Sequence, residues 1–379
     1  MSAELSSTAI GTWSGGRFMR FGEPISEKRL IALLRPGEGI DTLISADVYG
    51  EGQADLLLGQ AIAGLDRDSF NLVGAIGHDF YSGRRDGAKG FPRFTDARLR
   101  GEDQFASYIQ LATERMLARL RTDHLDLLLL HNPDSVGYRS AAVWEGLSAV
   151  REQGLAAAIG LAPGPANGFT LDLIDCLERF GQTIDWAMII LSPMEPWPGE
   201  LVLDAATRHG VSLITRVVDY GGLFHGDVVP GQSFPSHDHR AFRPAGWVQR
   251  GSERLQQMLP YAQRHGLTPL QLACAWNLAH PGVRCVAPTL IQETGDRPRP
   301  IESKRADLAA TPAVSPLSPD ELAEIRRIGD NTGSMALKGA SVEYAGEPLP
   351  DRWPMTDPLR ELAQRWKIVP ERDLAASAA

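Results

Sequence analysis

The chain alternates apolar segments of strand length with amphipathic segments of helix length eight times, and this alternation restricts its fold more than any other feature. The strand candidates occupy residues 8–13, 42–46, 71–77, 125–131, 157–161, 186–191, 212–218 and 284–288. The helix candidates occupy residues 26–34, 53–63, 103–120, 140–153, 170–180, 200–208, 252–264 with 269–278, and 301–310. Several strand candidates, such as residues 127–130, are apolar at every position, which is typical of parallel strands buried on both faces.

Eight strand–helix units in a chain of 379 residues predict an α/β fold of the (β/α)8 or TIM barrel type. A doubly wound parallel sheet is the alternative, but no GxGxxG segment follows the first strand candidate. We assign residues 1–330 to a single barrel domain. Residues 331–379 are Pro-rich and polar before an apparent short helix, and we predict that they form a C-terminal extension packed on the barrel.

Net charge, apolar run length and cysteine positions limit the partners and the cellular compartment that we expect for this chain. The net charge of -9 argues against nucleic acid or an anionic membrane as a partner, and no apolar run approaches the length of a membrane span. The three cysteines lie far apart in apolar segments, so neither a disulfide framework nor a CxxC site is expected. These features predict a cytoplasmic protein, and they leave its oligomeric state open.

Two connections are too long to serve only as links between a strand and a helix. Residues 78–101 follow the third strand and residues 219–246 follow the seventh. In a barrel, both rise from the C-terminal face, where active sites form, so each is a candidate lid or else a solvated insertion. The second connection contains His225, Asp227 and the run His237 to His239, whose side chains are of types that bind zinc. Because such spacing is common in polar loops, no metal site is predicted.

One segment resembles a family signature. Residues 39–61 read GIDTLISADVYGEGQADLLLGQA, which resembles the GxxxxDTAxxYGxGxxExxLGxA signature of the aldo-keto reductase family. Three later segments, LRTDHLDLLLLHNPD, VREQGLAAAIGLA and GVSLITRVVDYGGLFHG, are similar to family segments in the same order and at the same spacing. The resemblance covers about the first 310 residues. It implies the barrel of this family, a small-molecule substrate and NADP(H) as cofactor.

The resemblance also assigns catalytic positions. In the family, a Tyr donates a proton to the carbonyl that accepts hydride, an Asp–Lys pair lowers the pKa of that Tyr, and a His orients the substrate. Carried onto this chain, Tyr49 and His131 are the catalytic residues. The Asp position is Ile44, and the Lys position is interpreted as Ile76, so the tetrad is degenerate. Loss of both charges together is coherent, since either charge alone would be costly in a buried site.

The cofactor positions depart from the family as well. Family members hold the nicotinamide amide with Ser-Asn after the fifth strand and Gln on the sixth, and here these positions are Ala162, Pro163 and Met188. Proline has no backbone N–H, and a methionine cannot hold an amide. Basic residues remain for the phosphates, although the pair after the eighth strand is equally suited to an exposed helix face. The candidate cofactor-binding residues are Arg216, Lys304 and Arg305.

Other polar and aromatic residues follow the strand candidates and are predicted to meet at the mouth of the barrel. We predict that Arg216 and Asp219 either pair with each other or bind a hydroxylated or anionic substrate. The aromatic residues either form the floor of a pocket for a sugar-like or aromatic ligand or belong to the core. The candidate substrate-binding residues are Trp13, His78, Asp79, Trp197, Arg216, Asp219 and Tyr220.

Three functions remain open from the sequence. The first is NADP-linked oxidoreduction of a small carbonyl or alcohol substrate, with Tyr49 and His131 as catalytic residues. The second is a lyase, isomerase or hydrolase on the same barrel, in which the clustered Tyr, His and Asp side chains act as acid and base without redox chemistry. The third is a non-catalytic binding or regulatory subunit, because one fold serves many functions.

Overall fold

The protein forms a closed barrel of eight parallel strands. The computed structural model describes residues 4–86, 90–164, 169–243, 245–295, 297–332 and 356–373. The strands pair in chain order, and a parallel bridge between Thr8 and Val286 joins the last strand to the first. This arrangement confirms the predicted (β/α)8 barrel. The strands are β1 (Ala9–Gly11), β2 (Thr42–Ala46), β3 (Asn71–Ile76), β4 (Leu125–His131), β5 (Ala156–Ala162), β6 (Trp186–Ile190), β7 (Ser212–Arg216) and β8 (Val283–Ala287).

Helices surround the strands. They are α1 (Glu27–Leu34), α2 (Gln53–Ala61), α3 (Phe105–Leu120), α4 (Ser135–Arg139), α5 (Ala141–Glu152), α6 (Thr170–Phe180), α7 (Leu203–His209), α8 (Trp247–Arg264), α9 (Pro269–Leu278), α10 (Ile301–Ala309), α11 (Pro319–Ile328), α12 (Asp357–Arg365) and α13 (Pro370–Asp373). Local chemistry sets several of their starts. Thr268 and Ser318 each form a capping box ahead of a proline in the first turn, at α9 and α11. Asp134 caps α4, which is too short to show a helical period in the sequence.

The apolar residues form two layers because neighbouring residues of a strand point to opposite faces. The inner layer fills the barrel and contains small or medium side chains such as Ile44, Ala75, Leu129 and Ile214. The outer layer lies between the strands and the helices and contains most of the larger aliphatic side chains. This division decides which residue at each strand end faces the mouth and which faces a helix.

Each of the two long connections is anchored by a buried arginine. In the loop after β3, Arg100 pairs with Asp79, and the exposed fractions of the two side chains are 9% and 0%. In the loop after β7, Arg240 pairs with Asp238 and with Glu293, and all three side chains are at most 3% exposed. Buried pairs of this kind hold their segments in place. The interpretation of these loops as lids and their interpretation as solvated insertions both stay predictions.

The described part of the C-terminal extension lies on the outside of the helical layer. Glu178 of α6 accepts hydrogen bonds of 2.6 Å from Arg365 and 2.7 Å from the indole N–H of Trp366. The guanidinium of Arg208 lies 4.2 Å above the Trp366 ring. The remainder of the predicted extension, including residues 333–355, lies outside the described residues. Among the helices that the structure describes, none has the length and apolar character required to cross a membrane.

Candidate active site

The C-terminal strand ends bring three of the predicted site residues together. Tyr49 follows β2, His131 ends β4 and His78 follows β3. The rings of Tyr49 and His131 lie 5.8 Å apart at an angle of 86°, and the rings of His78 and His131 lie 5.4 Å apart. These side chains therefore form one cluster at the mouth, as the sequence predicts.

The electrostatic surroundings of Tyr49 keep its phenol protonated. Burial raises the pKa of Tyr49, and the positive charge of Arg216 opposes that rise. Arg216 ends β7 and supplies a cation at the mouth. A protonated phenol beside a cation can donate a proton to a substrate oxygen, because the cation stabilises the phenolate that remains.

The assignment of Ile76 to the mouth of the barrel is wrong. Ile44 is 2% exposed and belongs to the inner layer, as expected. In β3, Ala75 faces the interior, whereas Ile76 belongs to the outer layer that packs against the helices. The two positions have opposite faces because strand side chains alternate. The inward wall near Tyr49 is thus formed by Ile44 and Ala75, and it carries no charge.

Both histidines of the cluster are neutral. Burial lowers the pKa of His131 to about 3, and the charges of Arg93 and Arg216 act in the same direction. Nδ1 of His131 is buried without a hydrogen-bond partner in the described structure. Burial, followed by the charge of Arg93, lowers the pKa of His78 well below its usual value. A neutral imidazole with an unused nitrogen can orient a substrate oxygen without itself titrating near pH 7.

Arg93 is a site residue that the sequence analysis missed. It comes from the loop after β3, where a β-bridge joins it to His78. Its Nε donates to the carbonyl oxygen of Asn132, and its Nη1 lies 2.9 Å from Nδ1 of His78. Burial lowers the pKa of Arg93 to about 10, so it remains a cation. This loop contains several arginines, and no sequence signal separates Arg93 from the others.

Asp47 is a second buried group that the sequence analysis missed. It lies two residues before Tyr49, it is 0% exposed, and neither of its carboxyl oxygens has a hydrogen-bond partner. Burial and the nearby Asp55 raise its pKa well above the usual range. This buried carboxyl is therefore protonated.

The carboxylates of Asp79 and Asp219, both predicted to bind substrate, accept hydrogen bonds from within the protein. Asp79 accepts hydrogen bonds of 3.0 and 2.8 Å from two backbone amides of its own loop, in addition to its pair with Arg100. Asp219 accepts hydrogen bonds of 2.9 and 2.7 Å from the backbone amides of Gly222 and Thr289. Their positions speak against the predicted contact with substrate. Both carboxylates instead hold the loops of the mouth.

Arg216 does not pair with Asp219. Its Nη2 donates to the carbonyl oxygens of Pro163 and Gly164, at 3.2 and 2.7 Å. Beside it lies a small pocket of about 20 Å³. The pocket is lined by Pro163, Gly164, Phe169, Thr170, Leu173, Met188, Ile189, Ile190, Gly199, Val202 and Arg216. Pro163 and Met188 are positions that the family resemblance assigns to the nicotinamide amide. The pocket is mainly apolar, with one cation at its edge.

The aromatic residues predicted for the mouth take different roles. Trp13 is half-buried and packs against the inner layer of the barrel, as does Tyr49. Trp197 follows β6, is 2% exposed, and has an indole N–H without a partner in the described structure. Tyr220 follows β7 and lies under the guanidinium of Arg243, 4.2 Å from its ring centre. All three lie at strand ends, but among these three only Trp197 has a buried polar atom without a hydrogen-bond partner in the described structure.

Some side chains of zinc-binding types in the loop after β7 make other contacts. Asp238 is bonded to Arg240, and Nε2 of His225 lies 2.9 Å from the carbonyl oxygen of Thr289. Across the described residues, no group of three or more His, Cys, Asp or Glu side chains is placed to hold a metal ion. Contacts inside the protein thus engage Asp238 and one ring nitrogen of His225.

Lys304 and Arg305 do not lie on an exposed helix face, so that interpretation is wrong. Lys304 is 0% exposed, and its ammonium lies 2.5 Å from a carboxylate oxygen of Asp227 and 2.6 Å from the carbonyl oxygen of Ile291. Arg305 donates to the carbonyl oxygens of Leu33, Arg35 and Gly37, at 3.1, 2.8 and 2.8 Å. Both cations bind the protein itself, which speaks against the predicted contact with a cofactor phosphate.

Replacing Lys304 with Met tests this internal role. We expect the change to lower the free energy of unfolding by about 3 kcal/mol, because it leaves Asp227 buried without its cation. Urea unfolding followed by circular dichroism measures the loss, and Lys28→Met, at an exposed position of α1, is the control. A stable Lys304→Met variant that instead lost NADPH binding would contradict the structural role and restore the cofactor assignment.

The comparisons with known proteins agree with this architecture. The model of the Aldo/keto reductase family matches residues 9–330. A probable voltage-gated potassium channel subunit beta from Arabidopsis thaliana is 23% identical over 83% of this chain and 93% of that protein. A methylglyoxal reductase from Escherichia coli is 24% identical over 75% of this chain and 82% of its own length.

Solved structures show the same fold. A glycerol dehydrogenase from Gluconobacter oxydans has a TM-score of 0.65 at 21% identity, covering 86% of this chain and 91% of that one. An aldo/keto reductase from Klebsiella pneumoniae, in complex with NADP and acetate, has a TM-score of 0.56 at 22% identity, with coverages of 86% and 91%. At these identities the likeness concerns the fold alone. The family model covers most of the chain, and the protein therefore belongs to the aldo-keto reductase family.

Proposed function

We propose that this protein is an enzyme that transfers a proton to or from a carbonyl or alcohol oxygen of a small substrate, with Tyr49 as the acid. The observation that carries this proposal is the cluster of Tyr49, His131 and Arg216 at the mouth. The two rings lie 5.8 Å apart, and the charge of Arg216 acts on both residues. A phenol, a neutral imidazole and a cation at one place match the needs of proton transfer to a developing oxyanion.

Each residue has a distinct part in this step. The phenol of Tyr49 gives its proton to the substrate oxygen, or recovers it in the reverse direction. His131 is neutral and uses its free nitrogen to orient that oxygen. Arg216 remains charged and stabilises negative charge on the phenolate, and Arg93, whose charge acts on His131, adds a second cation to the same cluster. These two arginines take over the electrostatic part that the family assigns to a lysine.

NADP(H)-linked oxidoreduction of a small carbonyl or alcohol is the first candidate reaction, because the chain belongs to a reductase family. When bound, NADPH would donate a hydride to a carbonyl, and NADP+ would accept one from an alcohol. The side chains of Pro163 and Met188 offer no hydrogen bond to a nicotinamide amide. The carbonyl oxygens of Pro163 and Gly164 are already bonded to Arg216. The residues at these positions therefore do not fit the manner in which the family holds the nicotinamide.

Proton transfer without hydride transfer, as in a lyase, isomerase or hydrolase, is the second candidate reaction. The poor fit of Pro163 and Met188 to a nicotinamide amide favours it. Glu195 adds a further acid or base at the mouth. Burial raises the pKa of Glu195 to about 7, against the opposing charges of Arg243 and Arg216. A carboxyl with a pKa near the working pH suits general acid–base catalysis.

Calorimetric titration with NADPH and NADH distinguishes the two candidates. Because the side chains at these positions offer no hydrogen bonds to the nicotinamide amide, we expect a dissociation constant for NADPH of roughly 100 µM or weaker. Replacing Met188 with Gln restores one amide at the pocket wall and should tighten binding about tenfold if the nicotinamide lies there. Met258→Gln, at a buried position of α8, is the matched control. Micromolar or tighter binding by the unmodified protein would assign the redox reaction.

A further inference from the structure

Two carboxylates of the loop after β7 bind polar groups of the segment after β8. The first is Asp219, which is 0% exposed and accepts hydrogen bonds from the backbone N–H of Gly222 at 2.9 Å and of Thr289 at 2.7 Å. Nε2 of His225 lies 2.9 Å from the carbonyl oxygen of Thr289 and adds a second contact to that residue. Asp219 is thus a buried anion that is bound by backbone amides of two different loops.

Asp227 supplies the second carboxylate. Its Oδ2 lies 2.5 Å from the ammonium of Lys304, which also donates to the carbonyl oxygen of Ile291 at 2.6 Å. Its Oδ1 accepts a hydrogen bond from the backbone N–H of Arg299 at 3.3 Å. The side chains of Lys304 and Asp227 are 0% and 7% exposed, so salt and water screen this pair weakly. The buried cation after β8 therefore has its counter-charge within the protein.

Backbone amides of turns and the ammonium groups of lysines are the groups that commonly bind phosphate in proteins. In the turn that begins the loop after β7, the N–H groups of Phe224, His225 and Gly226 donate to carbonyl oxygens of the same turn, at 3.2, 3.0 and 3.1 Å. Arg305, the other basic residue of α10, donates to three backbone carbonyl oxygens. Contacts inside the protein thus engage each of these described donors.

The far part of the loop after β7 is fixed to the loop after β1. Asp238 accepts a hydrogen bond of 2.9 Å from the backbone N–H of Gly22, and the N–H of His239 donates to the carbonyl oxygen of Arg20 at 2.9 Å. Gly22 has a φ of +64°, and a Cβ at this position would lie 2.2 Å from the carbonyl oxygen of Gln292. Moving this loop aside for a ligand would therefore break hydrogen bonds at both of its ends.

We propose that Asp219 and Asp227 occupy the place that the phosphate groups of a dinucleotide would take, and that this chain therefore binds no NADP(H). The family resemblance places the cofactor phosphates at basic residues after the eighth strand, and Lys304 is such a residue. A phosphate at Lys304 would have to displace Asp227 and would then lie near its negative charge, which is unfavourable in a buried site. The nicotinamide end fits no better, since the side chains of Pro163 and Met188 offer no hydrogen bond to an amide.

The two carboxylates have an advantage over a free phosphate because they are attached to the chain. A tethered group competes at an effective concentration of about millimolar or more, without the entropic cost of capturing a free ligand. The inference rests on the proposed function for the reaction, in which it selects proton transfer without hydride transfer at Tyr49. The absence of cofactor binding does not depend on Tyr49.

Replacing Asp227 with Ala tests whether this carboxylate holds the place of a phosphate. The change leaves Lys304 without its counter-charge and opens space beside it. We expect about 10 mM inorganic phosphate to raise the thermal unfolding midpoint of the variant by at least about 2 °C more than that of the unmodified protein. Asp55→Ala is the matched control, because Asp55 is 0% exposed and pairs with Arg119 outside these loops, and we expect no such gain.

The double variant Asp227→Ala with Lys304→Met shows whether the gain comes from Lys304, and we expect it to show no gain. Absence of a gain in Asp227→Ala would overturn the inference, because the pair would then be an ordinary structural contact. An equal gain in Asp55→Ala or in the double variant would also overturn it, since phosphate would then act at no particular site.

Calorimetric titration of the unmodified full chain with NADPH needs no variant to fold. We expect a dissociation constant weaker than about 1 mM, and tighter binding would overturn the inference. If NADPH binds and Tyr49→Phe abolishes turnover, the inference fails while the proposed proton donor stands. If NADPH does not bind and Tyr49→Phe keeps full turnover, the proton donor fails while the inference stands.

Discussion

Tyr49→Phe is expected to lower kcat by roughly 10²–10⁴-fold, the usual contribution of one acid–base group. The change removes a single oxygen atom and leaves the ring that packs against the inner layer of the barrel. Burial keeps the phenol protonated, and Arg216 is the cation that stabilises its conjugate base. His131 does not replace the lost proton donor, since burial lowers its pKa to about 3 and its ring is neutral.

Turnover is measured with a panel of small aldehydes, ketones and sugars, following NADPH absorbance for redox and proton NMR for non-redox conversion. Tyr261→Phe is the matched control, because Tyr261 lies on α8 next to Arg264, and we expect it to keep full activity. An unchanged thermal unfolding midpoint shows that the barrel is intact in both variants. If Tyr49→Phe retains turnover within about threefold of the unmodified protein, Tyr49 is not the acid.

Arg240→Met is expected to produce the largest loss of stability, about 5 kcal/mol in the free energy of unfolding. Arg240 is 1% exposed, and it donates two hydrogen bonds to Asp238, at 3.0 and 2.8 Å, and two to Glu293, at 2.5 and 3.0 Å. Removing the guanidinium leaves two buried carboxylates next to each other without a counter-charge. The loss exceeds that of an ordinary core substitution because desolvation of both charges is no longer compensated.

Urea unfolding of the purified variants measures this effect. The control is Arg98→Met, because Arg98 is 82% exposed and its pair with Asp96 contributes little in water, so we expect no measurable change. Adding Asp238→Asn and Glu293→Gln to Arg240→Met should recover part of the lost stability, since the uncompensated charges are then gone. A loss below about 1 kcal/mol for Arg240→Met would contradict the description of this cluster as the anchor of the loop after β7.

Sequence patterns predicted the parts of this protein that depend on local periodicity. Apolar runs and amphipathic segments marked all eight strands and the principal helices of the barrel, because burial on one or both faces leaves a period in the chain. Tyr49, His131 and His78 were predicted to meet, and they do, because parallel strands of a barrel end at one face. These inferences need only the order of elements and the direction of the strands.

Contacts between distant segments were not predictable in the same way. Ile76 and Ala75 differ by one residue, and that step moves a side chain from the mouth side to the helix side. Arg93 enters the site only because its loop folds back onto β3. Lys304 is basic and lies on a helix, yet its partner Asp227 belongs to a loop 77 residues earlier in the chain.

The sequence by itself determined the barrel, the family and the position of Tyr49, since each follows from a periodic pattern or a motif read along the chain. Only the tertiary structure decided which charged groups are free to act. Asp79, Asp219, Lys304 and Arg305 are engaged within the protein, whereas Glu195 and Arg243 keep unbonded atoms at the mouth. The physical reason is that the sequence gives the identity of a polar residue but not its partner, because the partner comes from a distant segment or from a ligand.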